Sequence, residues 1–290
     1  MNTSIGLFIT FLCIIGGFYA MGGNLYILVQ PFEIIIVAGA GFGGFIMANP
    51  IKVVKDSGAS VLETFGYNTI KQNTYCDILK LLYLLMYNLK KGSLNEVEKH
   101  IDNPYQSTIF NSIPTALENN ELTIFICDYV RMIIIGNARS YEIENLMDEE
   151  IDVILYEKLR PYHAISNMSE SFPAIGIIGA ILGIIKAMGN LSHSPKILGA
   201  AIGVSLTGTL LGILISYSLC NPISIKIKSI KLKKHRLYII VKKTLIAYMN
   251  GAMPQVAIEY GRKVLPLSER PSIEMVEQEV LQYSNDKKAS

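Results

Sequence analysis

Residues 171–189 read SFPAIGIIGAILGIIKAMG and contain one charged side chain, Lys186. A bilayer core is ~30 Å thick, so a helix rising 1.5 Å per residue crosses it with about 20 apolar residues. The weakly charged stretch continues to Ile225, and a second one from Ile5 to Pro50 holds Glu33 as its one acid or base. Only 17% of all residues are charged, against ~25% in soluble domains. Each stretch is therefore long enough for two membrane spans.

Breaks within the two stretches divide them into four predicted spans. Gly22-Gly23-Asn24 and Gln30-Pro31 interrupt the first stretch, and Ser192-His193-Ser194-Pro195 interrupts the second. The first span lacks a basic start and is followed closely by another span, which argues against a cleaved signal peptide. The predicted spans are residues 3–22, 33–50, 171–190 and 200–222.

Lysine and arginine counts predict the orientation of these spans. Residues 51–170 carry eleven and residues 223–290 carry thirteen, whereas residues 23–32 carry none and residues 191–199 carry one. Because positively charged loops stay in the cytoplasm, both large segments and both termini are predicted to be cytoplasmic. The predicted domains are a transmembrane hairpin at 1–50, a cytoplasmic helical domain at 51–170, a second hairpin at 171–222 and a cytoplasmic basic helix and tail at 223–290.

Helical periodicity extends through the segments outside the spans. Apolar residues recur at helical spacing at Ile78, Leu82, Leu85 and Leu89, and Gly92 ends that helix. Ser93-Leu94-Asn95-Glu96 has the form of a capping box that opens a new helix. Further helices are predicted at Glu121–Gly136, Tyr141–Leu159 and Ser272–Tyr283. The predicted class is an all-α integral membrane protein with four transmembrane helices, a helical cytoplasmic domain between the second and third spans, and a cytoplasmic helical tail.

Small residues give the third and fourth spans smooth faces, which let membrane helices approach closely. The glycines of these faces are Gly176, Gly179, Gly183, Gly203, Gly208 and Gly212. Thr207 and Thr209 place two hydroxyls deep in the fourth span. Pro173 lies in the first turn of the third span, where a missing amide costs little, and Pro222 is predicted to end the fourth. This pattern suits a close helix contact beside a hydrated ion path.

The acids and bases within the spans are few. No Asp or Glu lies in the third or fourth span, and a proton relay in a membrane needs a titratable group. If the chain conducts ions, a partner subunit is therefore expected to supply the carboxylate. Lys186 is predicted to extend its ammonium to the interface. Glu33, at the start of the second span, is predicted to be a solvated boundary residue favoured by the helix dipole.

One motif suggests a cofactor but lacks the required context. Gly39, Gly41 and Gly44 spell the G-x-G-x-x-G of a dinucleotide site, yet Asn49-Pro50 follows too soon for the required helix. The glycines are better explained by helix packing. The four histidines are dispersed, and no Cys/His metal spacing or nucleophile–base set occurs. The sequence thus predicts no enzyme, cofactor or metal site, and the net charge of +2 predicts no nucleic-acid partner.

Six short strings follow one another around the two hairpins. They are AGAG at 38–41, LMDEEI at 146–151, FPAIGI at 172–177, GTLLGIL at 208–214, EYGRK at 259–263 and SERP at 268–271. Together they resemble the MotA family, the ring subunit of the flagellar stator within the MotA/TolQ/ExbB proton-channel superfamily. The resemblance covers nearly the whole chain.

The resemblance implies a homo-oligomeric, pentameric ring in the lipid of the bacterial inner membrane, around a dimer of the single-span partner MotB. That partner brings a membrane aspartate, and ion flow at the aspartate rotates the ring against the rotor switch complex. By position, Pro173 and Pro222 match prolines flanking the channel, and Thr209, next to Thr207, matches the channel threonine. Sodium-driven relatives carry a hydroxyl where this chain has Ala180, which favours protons here.

The resemblance also implies a charged rim that contacts the rotor, formed by a base and by a Glu eight residues later. Lys90 and Glu98 hold these places, and Lys91 and Glu96 are close enough in sequence to share the role. Lys replaces the usual Arg, which keeps the charge but loses bidentate geometry. The alternative interpretation of these residues is a solvated edge between two helices.

Two other functions compete with the stator. A TolQ/ExbB-type energy-transducing subunit shares the proline and threonine features, but such proteins usually have three spans. A solute transporter needs its own polar substrate-binding groups at mid-membrane, and the spans offer almost none beyond the threonines.

Overall fold

The structure is a computed structural model that describes residues 2–66, 70, 72–189 and 195–286. Within these ranges the chain is helical, without a strand, which confirms the all-α prediction. The α-helices are α1 Asn2–Ala20, α2 Pro31–Ala48, α3 Ile51–Phe65, α4 Gln72–Lys90, α5 Leu94–Asp102, α6 Thr108–Asn111, α7 Pro114–Leu117, α8 Asn120–Ile135, α9 Ser140–Met188, α10 Pro195–Leu214, α11 Asn221–Met249, α12 Pro254–Lys263 and α13 Ile273–Asp286. Short 3₁₀ turns occur at Leu25–Leu28 and Pro104–Gln106, and a π-helix at Ile215–Cys220. The predicted break at Ser192-His193-Ser194 lies outside the described residues.

The chain forms two compact units. The first comprises residues 1–68 and 158–230, and the second comprises residues 69–157 and 231–290. Four helical segments of the described chain are long and apolar enough to cross a membrane. These segments are Thr3–Ala20, Leu25–Ala48, Ser140–Met188 and Gly199–Met249.

Two elements that the sequence predicts as separate helices are one helix. The predicted helix Tyr141–Leu159 and the predicted third span both belong to α9, a helix of 49 residues with Pro161 and Pro173 inside it. Each proline removes one amide, at a cost of roughly 3 kcal/mol. Helix-forming residues on both sides and burial of Pro161 offset that cost. Pro173 therefore lies in mid-helix, and its predicted place in a first turn is wrong.

The prediction that Pro222 ends the fourth span is wrong. The helical path continues from α10 through the π-helix into α11. The Asn221 N–H donates to the Ser216 carbonyl five residues earlier, which is the π-type hydrogen bond. This wider turn keeps the amide next to the proline bonded and gives the ring room, so the break expected at an internal proline is avoided.

The second unit is built around α4. Its predicted apolar residues are buried, and so are residues on its other faces, such as Leu79, Leu81 and Met86. Helices α5, α6, α7, α12 and α13 pack against it. Gly261 of α12 lies so close to Thr244 and Leu79 that a side chain there would collide with both. Because other helices surround α4, more of its residues are buried than the single apolar stripe in its sequence predicts.

The string LMDEEI at 146–151 acts in packing and ion pairing inside this unit. Met147 and Ile151 are buried. The carboxylate of Asp148 accepts a 2.5 Å hydrogen bond from the Lys242 ammonium, which is buried. Glu150 accepts a 2.7 Å hydrogen bond from the Tyr129 hydroxyl. The acidic residues of this string therefore hold α9 against α8 and α11 within the second unit.

The hydrogen bond from Arg262 to the Pro271 carbonyl joins the strings EYGRK and SERP. The residues here called the C-terminal clasp are Glu259, Arg262, Glu269, Arg270 and Pro271. The buried Arg262 guanidinium binds both carboxylate oxygens of Glu259, at 2.6 and 2.5 Å, and donates to the Pro271 carbonyl at 2.7 Å. Arg270 donates to the Leu265 carbonyl at 2.8 Å. The clasp thus folds the chain after α12 back onto that helix.

Candidate functional site: a polar seam and a charged turn

Helices α9 and α10 meet through their glycines, as predicted. A Cβ atom built on Gly176 would lie 2.8 Å from the Gly208 carbonyl oxygen and 3.2 Å from the Gly212 Cα. A Cβ atom on Gly212 would lie 2.5 Å from the Phe172 carbonyl oxygen. Since real side chains do not tolerate such distances, the two backbones touch only because these positions are glycine.

Hydroxyl groups lie at regular intervals along this contact, here called the polar seam. Ser205 is buried against Gly183, and Thr209 donates to the Gly176 carbonyl at 3.4 Å. Ser169 donates to the Ser216 carbonyl at 3.0 Å, with the two hydroxyls 3.2 Å apart. The contact positions 183, 176 and 169 are seven residues apart on α9, so they share one face of that helix at intervals of about 10 Å.

Glu33 occupies the seam between Ser205 and Thr209. Its side chain is 8% exposed. Its Oε2 atom would lie 2.8 Å from a Cβ built on Gly179 and 2.6 Å from one built on Gly208. The carboxyl group thus sits between α9 and α10, and the prediction of a solvated boundary residue is wrong.

Unequal helix lengths explain why sequence reasoning misplaces Glu33. Helix α9 continues nine residues beyond Gly179 to Met188, about 13 Å at 1.5 Å per residue. The 3₁₀ turn Leu25–Leu28 packs on α10. Helix α2 therefore begins beside the interior of α9 and α10 rather than level with their ends. The sequence does hold one signal, since an acid within a span-length apolar stretch marks a functional position by default.

The seam includes some of the predicted pathway residues and not others. Thr209 bonds across it, and Ala180 is buried with its amide nitrogen 3.3 Å from the Cβ position of Gly208. Thr207 is buried too, but its hydroxyl donates to the Val204 carbonyl of its own helix at 2.6 Å. Pro173 is half-buried, one residue from the Phe172 that packs against Gly41 and Gly212. Pro222 is exposed at the start of α11.

The four predicted rim residues surround one turn of the second unit. Lys90 ends α4, Gly92 turns with a φ of 80°, and α5 begins at Leu94. The rim side chains, Lys90, Lys91, Glu96 and Glu98, are all exposed. The Lys91 ammonium lies 4.5 Å from the centre of the Tyr87 ring, a cation–π contact. This contact favours Lys90 over Lys91 as the base available to a partner.

The predicted capping box at this turn is wrong. Helix α5 begins where the box places it, but Ser93 makes no side-chain cap to α5. Its hydroxyl instead donates to the Asn88 carbonyl at 2.9 Å. One of the unpaired carbonyls at the end of α4 therefore binds the hydroxyl and ties the two helices of the turn together.

Four span-length helices in the described part of the chain, with a buried polar seam between two of them, are those of a multi-pass membrane protein. Comparison with protein families agrees: the MotA/TolQ/ExbB proton channel family matches residues 116–236, and the Motility protein A N-terminal family matches residues 4–93. The chain belongs to the motility protein A family. It is 36% identical to Motility protein A of Escherichia coli strain K12, over 97% of this chain and 95% of that protein. It is 30% identical to the Chemotaxis protein LafT of Vibrio parahaemolyticus, over 96% and 97%.

Two solved structures share the fold. The structure of C. jejuni MotAB has a TM-score of 0.75 at 19% identity and covers 93% of this chain and 98% of its own. The flagellar MotAB stator complex of Bacillus subtilis has a TM-score of 0.70 at 20% identity, with coverage of 92% and 96%. The predicted all-α membrane fold with four spans is confirmed.

Proposed function

We propose that this chain is the ion-conducting stator subunit of a bacterial flagellar motor, which converts proton flow into torque. The polar seam carries the proposal, because buried hydroxyls and a carboxyl between glycine faces suit proton passage, in a chain of the motility protein A family. This is a transport function rather than catalysis. The four span-length helices disfavour the TolQ/ExbB-type alternative, for which three spans are usual.

The proposal includes a MotB-like single-span partner that supplies a membrane aspartate. The third and fourth spans lack Asp and Glu, and both structural relatives are MotAB structures. The proposal also includes the location and assembly of the protein, which is a ring of five subunits in the bacterial inner membrane. The lysine- and arginine-rich segments at 51–170 and 223–290 support cytoplasmic termini by the positive-inside rule.

Reconstitution tests this function directly. The chain would be co-expressed with a MotB-like subunit, purified and placed in lipid vesicles that contain a pH-sensitive dye. Under an imposed membrane potential, the complex should conduct protons, and the chain alone should not. The proposal would be contradicted by a chain that is stable and impermeable to protons and that does not depend on the partner for assembly or flux. Replacing external sodium by potassium should leave the flux unchanged.

Thr209→Val should slow proton flux about fivefold, since the removed hydroxyl makes a hydrogen bond worth about 1 kcal/mol across the seam. Valine keeps the shape, so the complex should still form. The matched control is Thr10→Val, where the hydroxyl donates to the Gly6 carbonyl on exposed α1. Flux equal to that of the wild type in the Thr209→Val complex would remove Thr209 from the pathway.

Lys90→Glu should lower motor torque roughly two- to fivefold, because a surface charge contact contributes ~0.5–1 kcal/mol. Complex yield should not change, since Lys90 is exposed. Tethered-cell rotation measures the effect, and a charge-reversed rotor partner should partly restore it. The control is Lys263→Glu, the same charge change at another exposed residue of the second unit. The rim assignment fails if Lys90→Glu is silent even when Glu98→Lys is added.

A further inference from the structure

Glu33 is buried at a position where an acidic side chain does not increase the stability of the fold. Its side chain is 8% exposed, and no described residue forms a hydrogen bond with its Oε2 atom. Removing a carboxylate from water without a partner costs several kcal/mol, whereas an aliphatic side chain would fill the same volume at no such cost. The carboxyl group therefore needs a reason other than packing.

Two pairs of seam glycines differ in what they face, and only one pair lies beside this carboxyl. Gly176 and Gly212 face backbone atoms of the opposite helix, so their function is close helix packing. Gly179 and Gly208 instead face the Oε2 atom of Glu33, which lies 2.8 and 2.6 Å from their Cβ positions. The two glycines thus form a cradle whose space is occupied by the carboxyl group rather than by another helix.

The cradle lies between the hydroxyls of the seam. On α9, Gly183 faces Ser205, Gly179 faces Glu33, and Gly176 faces Thr209. These positions are four and three residues apart, or about 6 and 4.5 Å of helix rise. Water molecules can bridge polar groups that are not in direct contact. Glu33 consequently has a hydroxyl one helical turn away on each side.

We propose that Glu33 is a proton-binding carboxyl of this chain itself, a relay between the Met188 end of the seam and Thr209. The inference rests on the proposed function. The Glu33 carboxylate accepts one proton from a water or hydroxyl on the Ser205 side and releases one proton toward Thr209, so each passage leaves it unchanged. Conduction then uses two carboxyls in series, one in this chain and one in the partner.

The cradle suits a proton rather than a metal cation. Hard cations in proteins take several oxygen ligands, and among the described residues the other side chains and the amide that meet the two Cβ positions add no oxygen to the single carboxyl. The charged side chains nearest along α9 are Glu170 and Lys186, both exposed. Helix α2 contains no other acid or base, and α10 has none among its described side chains.

Glu33→Gln in the complex with the MotB-like subunit tests the relay. Glutamine has nearly the same shape and remains polar, so a packing role would survive, but it cannot carry a proton. We expect proton flux in vesicles to fall at least about tenfold, as for loss of a positioned proton carrier, with unchanged complex yield. The control is Glu170→Gln, which removes the same charge from an exposed position of the same unit.

A second measurement needs no variant. Dicyclohexylcarbodiimide adds to a protonated carboxyl in an apolar setting and leaves a stable acylurea that mass spectrometry locates. Modification of Glu33 in the wild-type complex, with matching loss of flux, supports the relay even if Glu33→Gln fails to assemble. Wild-type flux in Glu33→Gln, or an unmodified Glu33 in a conducting complex, overturns the relay and leaves the stator function intact. If the wild-type complex conducts no protons, the proposed function is contradicted instead.

Discussion

Gly212→Val should prevent α9 and α10 from packing, and no complex with the partner subunit should be recovered. Even the first carbon of the new side chain would lie 2.5 Å from the Phe172 carbonyl oxygen and 3.0 Å from the Gly176 Cα. Both obstacles are backbone atoms of α9, so no side-chain rotation relieves the clash. The cost exceeds the ~1–3 kcal/mol typical of an overpacked core, because the helices themselves must separate.

Gly203→Val is the matched control for this substitution. Gly203 lies on the same helix, and no described atom beyond its own stretch of helix backbone is within 4 Å of its Cβ position. This variant should be purified with the partner in normal yield, as judged by size-exclusion chromatography in detergent. Normal yield of the Gly212→Val complex would contradict direct backbone contact between α9 and α10.

Arg262→Ala should destabilise the second unit by about 1–3 kcal/mol, the cost of a buried polar group that loses its partner. The larger cost of a stranded buried charge does not apply, because the Glu259 side chain is 36% exposed. The substitution removes both hydrogen bonds to Glu259 and leaves the Pro271 carbonyl unsatisfied. Thermal unfolding of the purified protein measures the loss. The control Lys263→Ala removes an exposed cation next to Arg262 and should change the stability little.

The clasp also makes stability depend on pH. The hydrogen bond from Arg262 holds the pKa of Glu259 below its ordinary 4.5. Burial by itself would raise the pKa of Glu269, but hydrogen bonds from Lys233 and Tyr75 outweigh it and hold that pKa below 4.5 as well. A lowered carboxyl pKa adds stability that is present above pH 4.5 and lost as the pH falls through the lower, folded value. Arg262→Ala should weaken this acid-induced loss, and an unchanged pH profile would contradict the pairing.

The rim was predictable from sequence because it is local. Lys90 and Glu98 are eight residues apart across one glycine turn, and a short connection between two helices places both on the same edge. Even here the capping pattern misled, since Ser93 can bond forward to α5 or back to α4. A sequence motif does not tell which of these two local hydrogen bonds, similar in strength, the serine forms.

The strings that carry the family resemblance differ in what they do. GTLLGIL contributes Gly208, Thr209 and Gly212 to the seam, whereas EYGRK and SERP form the C-terminal clasp, and LMDEEI pairs Asp148 with Lys242. Order and spacing identify the family without separating these roles. The separation needs the partners, which lie up to 194 residues away along the chain.

The sequence by itself determined the helical class and the four spans, because hydropathy and charge are properties of each residue that add along a segment. Tertiary structure alone decided that α9 passes through two prolines, that the chain continues past Pro222, and that Glu33 is buried. The burial of Glu33 depends on where the neighbouring helices begin and end. A residue two positions into its own helix stands in mid-seam when its neighbours extend about 13 Å further, and no local pattern encodes that offset.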